Sequence, residues 1–275
     1  MPLLSLTRCP TAALAASALA VVLIAGCGVG QEERPTPPPA GAGLDYQLGG
    51  AYPPPDGVQI VVRDVSDSPA GAGYDVCYVN GFQTQPGESA AWLRDHPDVV
   101  LRDAGGEPVA DPGWPDELLL DTSTDAQRRE IAEVVGAQVD ACAKAGFDAV
   151  EPDNLDSFSR SDGALTLEDN LALATLLIER AHARGLAIGQ KNTVELDTRG
   201  PALGFDFVVA EDCAVYDECG DYAAAYGPHV LEIEYDDEPG FAGRLAAACA
   251  TGSSVVGRDR ALSTPDDPGY VLESC

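Results

Sequence analysis

The chain has 275 residues, 45% of them apolar, enough to bury one sizeable core. Its 45 Asp and Glu against 16 Lys and Arg leave a formal charge of −29, which excludes the basic footprint of a nucleic-acid binder. Twenty-one prolines and 29 glycines argue for a turn-rich globular fold rather than a helical bundle.

Near the N-terminus, Arg8 precedes an apolar run over 11–26, too short and too weakly flanked for a membrane span. The run closes on Ile24-Ala25-Gly26-Cys27, which resembles a bacterial lipobox. Residues 1–26 therefore read as a lipoprotein signal peptide and Cys27 as the lipidated residue that meets the bilayer. An ordinary signal peptide followed by a chance cysteine is the alternative. Residues 27–44, with Thr36-Pro37-Pro38-Pro39 and few large apolar side chains, read as a tether. Residues 45–275 then form a single exported domain on the cell envelope or the extracellular face.

Loss of Cys9 and lipidation of Cys27 leave Cys77, Cys142, Cys213, Cys219, Cys249 and Cys275, an even set that implies disulfides in an exported protein. Proximity in sequence favours Cys213 with Cys219 and Cys249 with Cys275, leaving Cys77 with Cys142. Zinc is the competing reading. No CxxC spacing occurs and His96, His182 and His229 lie far apart, so neither metal nor cofactor is expected.

Along the domain, β-rich runs alternate with amphipathic helical ones. Strands are expected at 58–63, 75–79, 118–121, 147–151, 186–190, 205–210, 229–234 and 254–256. A helix over 124–145, capped by Thr124 or Asp125, lines up Ile131, Val134, Val135, Val139 and Cys142. Another over 166–184 opens on Thr166 and Asp169 in capping-box spacing and turns Leu173, Leu176, Leu177 and Ala181 inward. Gly146 and Gly185 follow the two helices as left-handed caps. Eight strands with crossovers fit an α/β fold, an eight-stranded parallel TIM-type barrel. An open doubly wound sheet is the alternative, but Arg63-Asp64-Val65-Ser66-Asp67 after the first strand is no glycine-rich phosphate loop.

The strand ends carry Asp64, Asn80, Asp121, Glu151, Asp153, Lys191, Asn192, Glu211, Asp212 and Glu234, on the rim where barrel active sites form. Acidic residues are abundant throughout this chain, so any one of them has an ordinary solvated reading. Their convergence does not. Without the histidines of a metal hydrolase, a Ser-His-Asp set or a phosphate cradle, what remains is chemistry that carboxylates do alone, with two-carboxylate glycoside hydrolysis the leading candidate.

Several stretches also resemble one family. Gly146-Phe147-Asp148 with Glu151-Pro152-Asp153-Asn154, Ala181-His182-Ala183-Arg184-Gly185-Leu186 with Gln190-Lys191-Asn192, Phe205-Asp206-Phe207 with Ala210-Glu211-Asp212-Cys213, and Glu234-Tyr235 are similar, in order, to motifs of glycoside-hydrolase family 114. The resemblance runs from about Asp45 to Cys275 and departs from the family pattern mainly over 78–83 and 88–98. It implies a β/α barrel with endo-α-1,4-polygalactosaminidase activity, and Asp153 and Glu211 match the family's catalytic pair. Glutamate's longer arm suggests Glu211 as acid/base and Asp153 as nucleophile.

Glu151 reads as a buried carboxylate bonded to the rim, Asn154 as a substrate contact, and Lys191 and Asn192 as groups that orient a carboxylate or a sugar hydroxyl. Tyr78, Tyr216 and Tyr235 are candidates for stacking on sugar rings or for plain barrel packing. Asp64, Asp121 and Glu234 are candidates for binding an amino sugar. The expected partner is a cationic amino-sugar polymer drawn to an acidic rim by a monomeric enzyme, although net charge also serves solubility. A non-catalytic polysaccharide-binding lipoprotein, or a hydrolase of another surface polysaccharide, is the alternative.

Overall fold

The computed structural model describes residues 34–275; the expected signal peptide and Cys27 lie outside them. Eight strands pair parallel in chain order: β1 (Gly43–Gln47), β2 (Val58–Asp64), β3 (Tyr74–Asn80), β4 (Ala149–Asp153), β5 (Ala187–Lys191), β6 (Phe207–Glu211), β7 (Val230–Tyr235) and β8 (Ser254–Arg258). A ninth, β9 (Leu272–Ser274), adds antiparallel to β8. The helices are α1 (Ser89–Asp95), α2 (Asp125–Ala145), α3 (Leu167–Ala183), α4 (Arg199–Leu203), α5 (Cys213–Tyr216), α6 (Cys219–Tyr226) and α7 (Phe241–Ala248). The result is a nearly closed TIM-type barrel.

Alternation along the strands sorts the core into two regions. Leu44, Ile60, Val62, Val76, Val209, Ile233 and Val256 fill the barrel interior. Their neighbours Val79, Val150, Ile188 and Val208 face outward onto Ile131, Val135 and Val139 of α2 and Leu173, Leu177 and Ala181 of α3. Thr124 caps α2 by accepting from Gln127 N, and Gly146 ends it at φ +96°. Thr166 and Asp169 form the expected capping box on α3. At the seam, buried Arg258 reaches from β8 to Tyr46 O and to Asp45 Oδ1 at 3.4 Å on β1. The three disulfides are Cys77–Cys142, Cys213–Cys219 and Cys249–Cys275, the pairing favoured by proximity.

Two strand expectations change. Residues 118–121 are not a barrel strand: Leu118, Leu119 and Leu120 make only isolated antiparallel bridges to Ala110, Gln83 and Val100. They are buried under the long excursion between β3 and α2, so an apolar run here marks a folded loop rather than a barrel stave. Its place in the barrel is taken by β1, whose first two residues fall in the stretch read as tether. β1 escapes a hydrophobic reading because Asp45 and Gln47 alternate with Leu44 and Tyr46. Both polar side chains are buried yet bonded: Gln47 Nε2 donates to Asp45 Oδ2 at 2.7 Å, and Arg63 Nε to Gln47 Oε1 at 2.9 Å. Upstream, Thr36 O accepts from Tyr74 OH at 2.7 Å and Pro38 O from His229 Nδ1 at 3.0 Å, so this part of the expected tether packs on the domain. Among the described residues no helix is long and apolar enough to cross a membrane.

Candidate active site

A cleft of about 520 Å³ opens at the C-terminal ends of the strands. Strand parity decides what enters it. Counting outward from the interior residues Ala149, Ala187 and Phe207 in steps of two leads to Glu151 and Asp153 on β4, Lys191 on β5 and Glu211 on β6. Gly189 lies beneath Lys191 because a Cβ there would come within 2.7 Å of the Phe207 ring that fills the barrel.

Lys191 is the centre of the arrangement. Its Nζ lies 2.9 Å from Glu151 Oε1, 3.3 Å from Asp153 Oδ1 and 3.2 Å from Glu211 Oε2, and donates to Tyr46 OH at 3.0 Å. Burial works against the ammonium, but Asp153, Glu151 and Glu211 outweigh it and hold its pKa well above the ordinary lysine value. Glu151 is fully buried, which raises its pKa despite Lys191. Its Oε1 accepts from Tyr46 OH at 2.7 Å, whereas Oε2 has no partner.

Asp153 and Glu211 are more open, each with its own tyrosine. Tyr78 OH donates to Asp153 Oδ2 at 2.7 Å, and Tyr235 OH donates to Glu211 Oε1 at 2.5 Å. Burial keeps both phenols far above their usual pKa, so they act as donors. Asn154 N donates to Asp153 Oδ1 at 2.7 Å, and Asn192 binds Glu211 twice, through Nδ2 to Oε2 at 3.2 Å and through Oδ1 to its backbone N at 2.9 Å. Asn154 and Asn192 follow their strands at φ +68° and +45°, a left-handed turn that asparagine tolerates better than most residues. The Arg260 guanidinium lies 4.1 Å from the Tyr235 ring centroid and binds Asp212 at 2.9 Å.

Of the residues singled out in the sequence, Asp64, Tyr78, Asp153, Asn154, Lys191, Asn192, Glu211 and Tyr235 line the cleft, and Glu151 stands directly beneath it. Asn80 and Asp212 lie outside the lining, and three of the expected substrate contacts do not converge there either. Glu234 falls on the outer parity of β7, where it accepts from Ala214 N and Arg244 Nε. Asp121 turns back to Ser123 N ahead of α2, and Tyr216 is exposed away from the lining. Sequence reasoning missed Tyr46, hidden in the unrecognised first strand, and Trp114, Glu117 and Arg160, which the long excursion and the loop after β4 bring to the wall.

Cys213, Cys219, Glu232 and Glu234 bring potential ligand atoms within 4.8 Å of one another behind β7. Both sulfurs are spent in the disulfide and both Glu234 oxygens are hydrogen-bonded, so this group does not offer a metal-binding set.

The model of glycoside-hydrolase family GH114 matches residues 29–275. No curated sequence matches the chain significantly. Among solved structures, that of Aspergillus fumigatus Ega3 in complex with galactosamine superposes with a TM-score of 0.67 at 23% identity, covering 86% of this chain and 96% of that one. The glycoside hydrolase domain of Pseudomonas aeruginosa PelA superposes with a TM-score of 0.55 at 16% identity, covering 83% and 97%. At such identities the likeness carries the fold.

Proposed function

The chain belongs to glycoside-hydrolase family GH114, and from that premise we propose that it cleaves α-1,4-linked galactosamine polysaccharide internally, with Asp153 and Glu211 as its two carboxylates. The observation that carries the pair is the shared contact with Lys191 Nζ, at 3.3 and 3.2 Å, from two strands facing one cleft. Two oxygens held by one nitrogen at 3.3 and 3.2 Å lie at most ~6.5 Å apart, at the lower edge of the ~6.5–9.5 Å that an inverting enzyme needs for its water. That spacing favours retention. Asp153, oriented by Tyr78 and Lys191, attacks the anomeric carbon, and Glu211 gives its proton to the departing glycosidic oxygen. Glu211 then takes a proton from the water that releases the glycosyl–Asp153 ester, and the cycle closes. Lys191 and Tyr78 position the nucleophile, while Tyr235 and Asn192 aim the acid.

The test is mass spectrometry of products from α-1,4-galactosamine polymer, partly and fully deacetylated. Short oligomers should appear with the wild type, and Asp153→Asn and Glu211→Gln should each lose ~10²–10⁴-fold in rate. Intact polymer from a folded wild type would turn the reading to a polysaccharide-binding module or to another sugar. Three disulfides support export, and the proposal extends to a monomer anchored by lipid on Cys27. Cys27→Ala should release the protein from the membrane fraction in soluble form.

A further inference from the structure

The loop over 111–117 stands on the Asp153 side of the cleft and presents two side chains that the hydrolytic pair does not use. Asp111 Oδ1 accepts from Gly113 N at 2.7 Å and from Trp114 N at 3.1 Å, which sets the turn. Its Oδ2 accepts from Gln83 Nε2 at 2.7 Å and meets Arg160 Nε at 2.6 Å, which fixes the loop to the barrel. Trp114 at the tip is 56% exposed and, with Tyr216, one of two exposed large apolar side chains among the described residues. It lines the cleft, and Glu117 lines it beside Trp114.

Glu117 is only 7% exposed and makes no ion pair among the described residues. Its one side-chain hydrogen bond among the described residues comes from Asn80 Nδ2 to Oε2, at 2.8 Å, which leaves Oε1 free. Arg160, whose charge reaches Glu117, is engaged by Asp111 and Asp156. Buried carboxylates are ordinarily paired, since desolvating an unpaired one costs several kcal/mol. Here burial, with Asp153 on β4 and Asp111 on the loop facing the group, pushes Glu117 up to about 7 against the pull of Asn80 and Arg160. Three hydrogen bonds lead from it to the hydrolytic centre: Asn80 Nδ2 to Glu117, Asn154 Nδ2 to Asn80 Oδ1 at 3.0 Å, and Asn154 N to Asp153.

We propose that Trp114 and Glu117 form a sugar subsite next to the cleavage point, Trp114 stacking on a pyranose face and Glu117 Oε1 receiving the ammonium of an unacetylated amino sugar. The ligand supplies the cation that the protein withholds. An N-acetylated residue has no charge to offer and brings extra bulk to a nearly closed carboxylate, so the subsite selects free amines. This rests on the proposed reaction for its substrate class but is tested by binding rather than turnover.

The experiment is calorimetric titration of Glu211→Gln, which does not consume its ligand, with a galactosamine tetramer and with its fully N-acetylated counterpart. Adding Glu117→Gln should weaken the galactosamine tetramer ~10–100-fold and the acetylated one by less than about twofold. Adding Trp114→Ala should weaken both alike, by roughly 3–10-fold. Without further substitution, affinity for the galactosamine tetramer should climb between pH 6 and 7 as Glu117 ionises, and affinity for the acetylated one should stay flat. That profile keeps the test open should Glu117→Gln fail to fold. Equal losses on both tetramers, a flat profile on both, or no binding of either overturns the subsite. Cleavage of polymer by the wild type reports separately on the hydrolase itself.

Discussion

At the scale of single residues, the Lys191 ammonium is what allows three carboxylates to share one barrel end. Lys191→Met leaves the fully buried Glu151 without its cation, and should cost ~3–5 kcal/mol in denaturant unfolding. Adding Glu151→Gln removes the most deeply buried of those charges, so the double variant should regain part of the loss without regaining activity. Equal stability of single and double variants would sink this account. Glu232, on the outer parity of β7, tests burial from the other direction. Fully buried, with Oε2 unpartnered, it is pushed up to about 7 by desolvation and by Glu234. A carboxyl raised in the folded state contributes stability below its unfolded pKa and loses it as pH rises through the folded value. Between pH ~4.5 and 7 that contribution should fade by up to ~2–3 kcal/mol. Glu232→Gln should therefore raise Tm at pH 8 and leave it nearly unchanged at pH 4, as a thermal scan would show. The catalytic candidates were legible because motif and parity agree at Asp153 and Glu211. Glu234 passed on motif alone and failed on parity. Trp114 carried a signal that went unread: a tryptophan in Pro112-Gly113-Trp114-Pro115 has no periodic neighbours to pack with.

At the scale of elements, the helices were the most readable parts because their caps are local: Thr124, Thr166 with Asp169, and Gly146 each make contacts within a few residues. Strands depend on partners far away in sequence, and here the reading slipped twice. A run of three leucines at 118–120 announced a strand and proved to be the floor of a loop. Gly43 and Leu44 looked like the end of a linker and proved to open β1 with Asp45, Tyr46 and Gln47, since Arg63, Tyr52 and Arg258 satisfy its buried polar groups from elsewhere. The disulfides fix elements over different spans. Cys77–Cys142 joins β3 to α2 across 65 residues of chain, Cys249–Cys275 spans 26 and Cys213–Cys219 only 6. If closing longer loops removes more entropy from the unfolded chain, loss of the first should cost ~4 kcal/mol and of the last ~2 kcal/mol. Paired Cys→Ala variants followed by urea unfolding would give that order. The reverse order would show that native-state contacts around each bridge, rather than loop length, set its worth.

At the scale of the whole molecule, the formal charge of −29 surrounds a cleft that is itself acidic. Its lining carries Asp64, Asp111, Glu117, Asp153, Asp156 and Glu211 against Lys191, Arg160 and Arg260, so the sign at the mouth matches the sign of the surface. The arginines there are already engaged, Arg160 by Asp111 and Asp156 and Arg260 by Asp212 and Asp237, which leaves little positive charge facing outward. A polycation approaching such a face gains from the summed field before any contact forms, and a neutral polymer gains nothing. Salt separates the two, because screening shortens to ~10 Å at 0.1 M while contacts inside the cleft are screened much less. kcat/KM on fully deacetylated galactosamine polymer should fall on the order of tenfold between ~0.03 and ~0.3 M salt, with most of the change in KM. On the acetylated polymer the same salt series should be flat. A flat profile on both would assign the surface charge to solubility and leave recognition to the cleft alone, where Glu117 and the three groups around Lys191 act at hydrogen-bond range and do not depend on the field outside.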